Sequence, residues 1–289
     1  MSTEASEKLI SFHTQEEIRQ WREAIPEGDL LGFVPTMGAL HKGHIALVHR
    51  AVAECSHVAV SVFVNPLQFS DSQDFDSYPR SEEADSMLLA AAGAEVVYLP
   101  RSLDMEAAEE QALLGNPADV LWEGEFRPGH FSGMLTVVGE FFRQLRPTHA
   151  FFGEKDAQQL FLVREMAAHF FPEINVVACE TVRDEDGLAL SSRNQLLSPR
   201  ARKRALNISY SLHYLQNLWE RGERDISELE AVLINKLECE GIKIEYAALV
   251  DDKSFQPANP EFSNPWRACV AVRVGGVRLI DNLLLGVPR

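Results

Sequence analysis

The chain has 289 residues, long enough to bury a full hydrophobic core and to hold two domains. Hydrophobic residues at 46% and charged residues at 24% exclude a disordered chain, and a net charge of −16 excludes a broad nucleic-acid surface, which would need clustered Lys and Arg. No apolar run approaches membrane-spanning length, the longest being about 58–64, so no membrane partner is expected.

Residues 1–8 lack the charged-then-apolar pattern of a secretion signal, and Cys55, Cys179, Cys239 and Cys269 show no paired metal-ligand spacing. A cytoplasmic protein with reduced cysteines is expected.

Thr14 and Glu17 form a capping box for a first helix through about residue 24. An apolar run at 30–34, the heart of a candidate strand at 30–36, precedes Pro35 and Gly38, which are expected to stop the pairing and turn the chain, and a helix at 43–55 carries Ile45, Leu47, Val48, Ala51 and Val52 as its apolar stripe. His41 and His44 lie three residues apart at the start of that helix, on neighbouring surface. Amides at a helix start favour phosphate, Gly38 and Gly43 let backbone approach it, and imidazoles can donate to its oxygens. Two solvated histidines are the bland alternative, but with 9 His and 17 Gly among 289 residues a chance His-x-Gly-His is expected only about 0.016 times.

A strand at 58–64 runs into Asn65-Pro66, a turn that would hold Gln68 at the same rim, where an uncharged amide can orient hydroxyl or carboxylate oxygens; alone, Asn65-Pro66 reads simply as a turn. Asp71, Asp74, Asp76, Glu82, Glu83 and Asp85 read as a solvated acidic loop. Helix 81–92 and strand 95–99 follow, then Arg127-Pro-Gly-His130, either a turn whose cation closes over a ligand or a plain surface turn. Helix 131–144, strand 149–153, helix 156–170 and strand 175–182 continue the alternation. Lys155, in the turn before helix 156–170, is either a compact charge for phosphate or a solvated loop residue, with Gln158 and Gln159 just beyond it. The alternation predicts an α/β domain with a parallel sheet over residues 1–183 and ligands at the strand carboxyl ends.

After Arg183 the pattern changes. Gly187-Leu-Ala-Leu-Ser-Ser-Arg-Asn194 offers two hydroxyls and a guanidinium, either a grip for phosphates or a polar loop capping the next helix. That helix, 199–220, carries Ala205, Ile208, Leu212, Leu215 and Trp219, while its Arg200, Arg202, Lys203 and Arg204 read as a solvated face. Helix 226–239 and strands 243–250, 268–274 and 277–280, the last two joined at Gly275-Gly276, predict a smaller α+β domain over 184–289.

Five segments in order, Pro-Thr-Met-Gly-Ala-Leu-His-Lys-Gly-His, Phe-Val-Asn-Pro-Leu-Gln-Phe, Arg-Pro-Gly-His-Phe, Gly-Glu-Lys-Asp and Leu-Ser-Ser-Arg-Asn, resemble the pantothenate synthetases, the pantoate–β-alanine ligases of the HxGH nucleotidyltransferase superfamily. The resemblance runs almost the whole chain, to Arg278-Leu-Ile-Asp-Asn282.

It implies a Rossmann-like amino-terminal domain, a smaller carboxyl-terminal lid, a cytoplasmic homodimer, and condensation of pantoate with β-alanine through a pantoyl adenylate, with release of pyrophosphate and AMP. Met37, Gly38, Ala39, Leu40, His41, Lys42, Gly43 and His44, with Gly153, Glu154, Lys155 and Asp156 and with Val182, Leu190, Ser191, Ser192 and Arg193, would line the ATP site. His44 would be the proton donor, with His41, Lys155 and Arg193 as further catalytic groups. Gln68 and Gln159 would bind pantoate, Gln68 also lying near β-alanine. Mg²⁺ is expected with ATP, its protein ligands unknown.

Three departures stand out: Ala157 where the family has an aromatic residue, Glu140 where Lys is common, and 104–115 without the usual Met-Tyr-Pro. The competing readings are a nucleotidylyltransferase of the same superfamily and a non-catalytic sensor of ATP or pantoate. An aminoacyl-tRNA synthetase fits the acidic charge less well.

Overall fold

The computed structural model describes residues 9–68, 75, 78–101, 120–261 and 264–286. The expectations placed on residues 1–8, on Asp71, Asp74 and Asp76, and on 104–115 lie outside the described residues. The strands are β1 (Ile10–Phe12), β2 (Leu31–Thr36), β3 (His57–Val62), β4 (Val96–Tyr98), β5 (His149–Gly153), β6 (Asn175–Cys179), β7 (Ile242–Asp251), β8 (Trp266–Val274) and β9 (Val277–Leu284). The helices are α1 (Gln15–Ala24), α2 (Lys42–Glu54), α3 (Glu82–Ala92), α4 (Glu123–Phe126), α5 (His130–Leu145), α6 (Ala157–Phe170), α7 (Pro199–Glu220) and α8 (Ile226–Leu237). They form two compact units that interleave along the chain: Met1–Gly115, Pro128–Gly153 and Leu162–Cys179 make one, and Asn116–Arg127, Glu154–Phe161 and Glu180–Arg289 the other.

In the first unit β1 to β6 form one parallel sheet in the order β1-β4-β3-β2-β5-β6. Phe33 and Val34 are both fully buried, and adjacent strand residues point to opposite faces. Val34 joins Val48 and Ala51 of α2 and Leu89 and Ala92 of α3, while Phe33 meets Phe141 and Phe142 of α5 edge-on at 5.6 and 6.5 Å. A sheet covered on both faces needs apolar side chains at every position, which is why β2 and β3 read as continuous apolar runs. Each such side chain contributes roughly 1.5–3 kcal/mol.

The sequence of β1 gives no such signal, because three residues with a half-exposed Ile10 at a sheet edge are too few for a period. The capping box of α1 is present: the Thr14 hydroxyl accepts from Glu17 N, and Glu17 accepts from Thr14 N.

The chain leaves β2 toward β3 and β4 on one side and later returns to β5 and β6 on the other. The carboxyl ends of β2 and β5 are therefore neighbours at the topological switch point, where ligands bind in open parallel sheets.

The second unit holds the antiparallel sheet β7-β8-β9 with α7 and α8. Ala205, Ile208, Leu212 and Leu215 of α7 and Leu229, Leu233 and Leu237 of α8 form one cluster with Val270, Val272, Leu279 and Leu283 of the sheet. Gly275 and Gly276, both at positive φ, turn β8 into β9. Strand β9 extends four residues past the expected end at 280 because Asp281 and Asn282, which interrupt the apolar pattern, are buried and paired. Among the described residues no helix is long and apolar enough to cross a membrane.

Candidate active site

The elbow after β2 is held by hydrogen bonds between side chains and backbone. The Thr36 hydroxyl donates to Ser61 O at 2.7 Å and accepts from Gly38 N at 3.2 Å, closing the turn at the strand end. Gly38 and Ala39 both take positive φ, 81° and 51°. That conformation suits glycine and turns the amides of Ala39 and Leu40 onto one carboxylate, Asp85 of α3, at 3.0 and 2.8 Å. A Cβ on Gly38 would lie 2.9 Å from Asp85 Oδ2.

Asp85 is 3% exposed, which corrects its reading as part of a solvated acidic loop. Its place one turn before Leu89 on the buried stripe of α3 was the signal available in the sequence.

His41 is the N-cap of α2, its Nδ1 accepting from Gly43 N at 3.1 Å, while His44 Nδ1 accepts from His41 N at 3.3 Å. The two imidazoles thus perform a capping box, and their rings lie 4.1 Å apart between centroids. Because each Nδ1 is an acceptor, a neutral ring must carry its proton on Nε2, the donor a phosphate oxygen would meet. Met37, Lys42 and Gly43 complete the elbow, with Lys42 exposed.

Gln68 ends the single turn Pro66–Gln68. Asn65, 1% exposed, accepts from Leu67 N with Oδ1 and donates Nδ2 to Gly133 O of α5 at 2.9 Å, so the Asn-Pro segment is a bracket as well as a turn. Gly133 is required there: a Cβ would stand 2.3 Å from Leu67 O. His130 donates from Nδ1 to Gln68 O at 3.1 Å, which joins the Arg-Pro-Gly-His turn to Gln68. Glu140 is buried in the same helix, where it accepts from Gln144 and pairs with Arg143 at 2.8 Å; Tyr98 donates to Gln144 at 2.9 Å, so the departure at 140 is absorbed locally.

In the second unit Lys155 sits in the turn Glu154–Asp156 ahead of α6, its Nζ 3.9 Å from Asp156 Oδ1. Ala157 follows, buried at the helix start. Gln158, 4% exposed, spends its amide on Leu121 O and Glu123 N at 2.9 and 3.1 Å, whereas Gln159 is half-buried. Leu190 N donates to Val182 O at 2.9 Å, bringing those two residues together, and Ser191 Oγ accepts from Arg193 N at 3.3 Å. Asn194 ties the loop back to Ala189 O at 3.0 Å. The arginines of α7 form a paired surface: Arg202 meets Asp184 and Asp186, and Arg200 and Arg204 meet Glu240.

Glu123 escaped the sequence reading. It is buried, it takes both ends of the Arg278 guanidinium at 2.6 and 2.7 Å, and it accepts from the Tyr246 hydroxyl at 2.8 Å. Burial disfavours its charge, yet the Arg278 hydrogen bonds prevail and hold its carboxyl below the usual range. Burial also pushes Arg127 down to about 10, with Glu123 opposing and the nearby Arg193 and Arg278 charges adding to the fall. Arg127 stays cationic at neutral pH, within the field of two other guanidiniums. Among the described residues no group of three or more His, Cys, Asp or Glu side chains is placed to hold a metal ion.

A parallel sheet with a His-x-Gly-His elbow at the carboxyl end of its central strand is the construction of the HxGH nucleotidyltransferase superfamily. A family model described as pantoate-beta-alanine ligase matches residues 10–284, and the chain belongs to that family of ATP-dependent ligases. It is 44% identical over 276 residues to a pantothenate synthetase of Rubrobacter xylanophilus, covering 92% of this chain and 94% of the relative. The structure of pantothenate synthetase from Thermus thermophilus superposes with a TM-score of 0.84 at 40% identity, over 95% of this chain and 99% of that one. The pantoate-beta-alanine ligase from Francisella tularensis, complexed with beta-gamma ATP and beta-alanine, gives 0.73 at 33% identity, over 97% and 99%.

Proposed function

We propose that this chain condenses pantoate with β-alanine at the expense of ATP, and that the paired imidazoles of the elbow are the observation that carries the assignment of its site. A carboxylate cannot be attacked usefully by an amine at neutral pH, since oxide is a poor leaving group. In the first step a pantoate carboxylate oxygen bonds to the α-phosphorus of ATP, the bond from that phosphorus to the β-bridging oxygen breaks, and pyrophosphate leaves. In the second the β-alanine amine attacks the pantoyl carbonyl, the amide C–N bond forms, and AMP leaves with the acyl-bond electrons as the amine loses a proton.

Negative charge collects on phosphoryl oxygens in the first step. His44 and His41 would donate from Nε2, and Lys155 and the Ser191-Ser192-Arg193 loop would supply further donors; each preorganised donor of this kind is commonly worth 10²- to 10³-fold in rate. Met37 to Leu40, Lys42, Gly43, Gly153, Glu154, Asp156, Val182 and Leu190 would line the nucleotide. Arg127 and Arg193 would offer guanidiniums to a polyanion, while Arg278 is already paired with Glu123 and Glu245. Gln68 and Gln159 would orient pantoate, which lowers the entropic part of the barrier; Gln158, occupied by backbone, would not. Mg²⁺ enters as MgATP, carried by phosphate oxygens.

Residues 1–183 as the ATP- and pantoate-binding domain, 184–289 as a lid, and a homodimer in the cytoplasm belong to the same reading. Four free cysteines fit a reducing compartment. The test is to supply MgATP and pantoate with and without β-alanine and to measure pyrophosphate, AMP and pantothenate together. AMP and pantothenate in equal amounts only when β-alanine is present support the ligase. ATP binding with no pyrophosphate would leave a sensor, and a stable adenylylated product would leave a nucleotidylyltransferase.

A further inference from the structure

Strand β9 sends three polar side chains to turns that lie far upstream in the chain. Arg278 grips Glu123 of α4, just before Arg127; Asp281 takes both ends of Arg183 at 2.6 and 2.9 Å, at the root of the loop that reaches Arg193; and Asn282 reaches the Lys155 turn. The last contact is the most direct. Asn282 Nδ2 donates to two consecutive carbonyls, Glu154 O and Lys155 O, each at 2.9 Å. Its Oδ1 accepts from Arg267 Nη1 at 2.6 Å, and Arg267 Nε is held in turn by Asp252 at 2.6 Å.

The amide can point only one way here, since a guanidinium only donates and a carbonyl only accepts. Asn282 and Arg267 are 6% and 7% exposed, so water offers little substitute.

We propose that Asn282 is a positioning residue for Lys155, fixing the backbone from which the ammonium reaches phosphate. A lysine stem has four rotatable bonds and a compact, undirected charge, so its aim depends on where its root is held. Two bonds to the carbonyls on either side of the Lys155 Cα remove the freedom of that root, and Arg267 removes the freedom of the amide. The inference rests on the reading of Lys155 as a phosphate ligand in the adenylation step.

The informative variant is Asn282→Asp, which keeps the volume and the acceptor for Arg267 while replacing both donated bonds by an oxygen facing two carbonyls. Single-turnover pyrophosphate release should fall about 10- to 100-fold and the ATP KM should rise, with the pantoate KM within about twofold of wild type. Asn282→Ala, which removes the donors without adding charge, should show the same split and serves if the Asp variant does not fold. Each change is then repeated on a Lys155→Met background. If Asn282 acts through Lys155, the second substitution should cost less than about twofold there. An equal cost on both backgrounds would overturn the positioning role and leave Asn282 a structural tie. A silent Lys155→Met would instead remove the reading of Lys155 itself, and the proposal with it.

Discussion

The elbow of the first unit and the turns of the second, both proposed to grip phosphate, are held by opposite means. His41 and His44 are joined by Nδ1-to-amide bonds within four residues, and the turn before them is braced from outside by Ser61 and Asp85. Lys155 and the approach to Arg127 are held by side chains 127 to 155 residues away, on the last strand. The geometry of a turn can therefore be encoded in a contiguous motif or fixed late by a distant strand. Only the first kind announces itself in a sequence.

The contrast is broken most severely at Glu123. Glu123→Gln leaves the buried Arg278 with only Glu245, which accepts from its Nε at 2.7 Å, as an anionic partner, and should cost about 3 kcal/mol of stability, the lower end for opening a buried ion pair. The carboxyl lies below its ordinary 4.5, so its contribution is complete above that value and is lost as pH falls through the depressed pKa. Denaturation of wild type and variant should show a gap that is flat from about pH 5 to 8 and narrows below. A gap that widened on acidification would contradict the assignment.

At the elbow, Asp85→Asn keeps the shape but offers one acceptor to two amides. A loss of about 1–2 kcal/mol is expected, with an ATP KM raised severalfold and a pantoate KM little changed, as steady-state kinetics on both substrates would show. The smallest effect belongs to Arg200→Ala. That exposed pair with Glu240, 3.8 Å apart, should change stability by less than about 0.5 kcal/mol and leave turnover unaltered; a marked loss of activity would give the basic face of α7 a role it lacks here.

The elements that periodicity and punctuation specify were legible: the apolar strand that ends ahead of Gly38, though its pairing runs on through Pro35 to Thr36 where Pro35 was expected to stop it, the capping box at Thr14, the stripe of α7 and the glycine pair between β8 and β9. The closeness of His41 and His44 was expected from helical spacing, although His41 lies outside the helix as its extended N-cap and the capping bonds bring the rings together. What stayed hidden was buried charge. Asp85 and Glu123 look in sequence like any other carboxylate in an acidic neighbourhood, and Asp281 and Asn282 look like the end of a strand. Their burial becomes possible only once Ala39 and Leu40 amides, Arg278, Arg183 and Arg267 arrive from elsewhere in the chain. Gln158 and Gln159 are likewise indistinguishable as neighbours until the fold commits the first to backbone.

The proposed role of the elbow is tested by single-turnover pyrophosphate release from a His44→Ala variant mixed with MgATP and saturating pantoate. A fall of about 10²- to 10³-fold with pantoate affinity retained is expected, because the lost donor acts where charge develops. Release at the wild-type rate would contradict it, and would move the chemistry away from the elbow altogether.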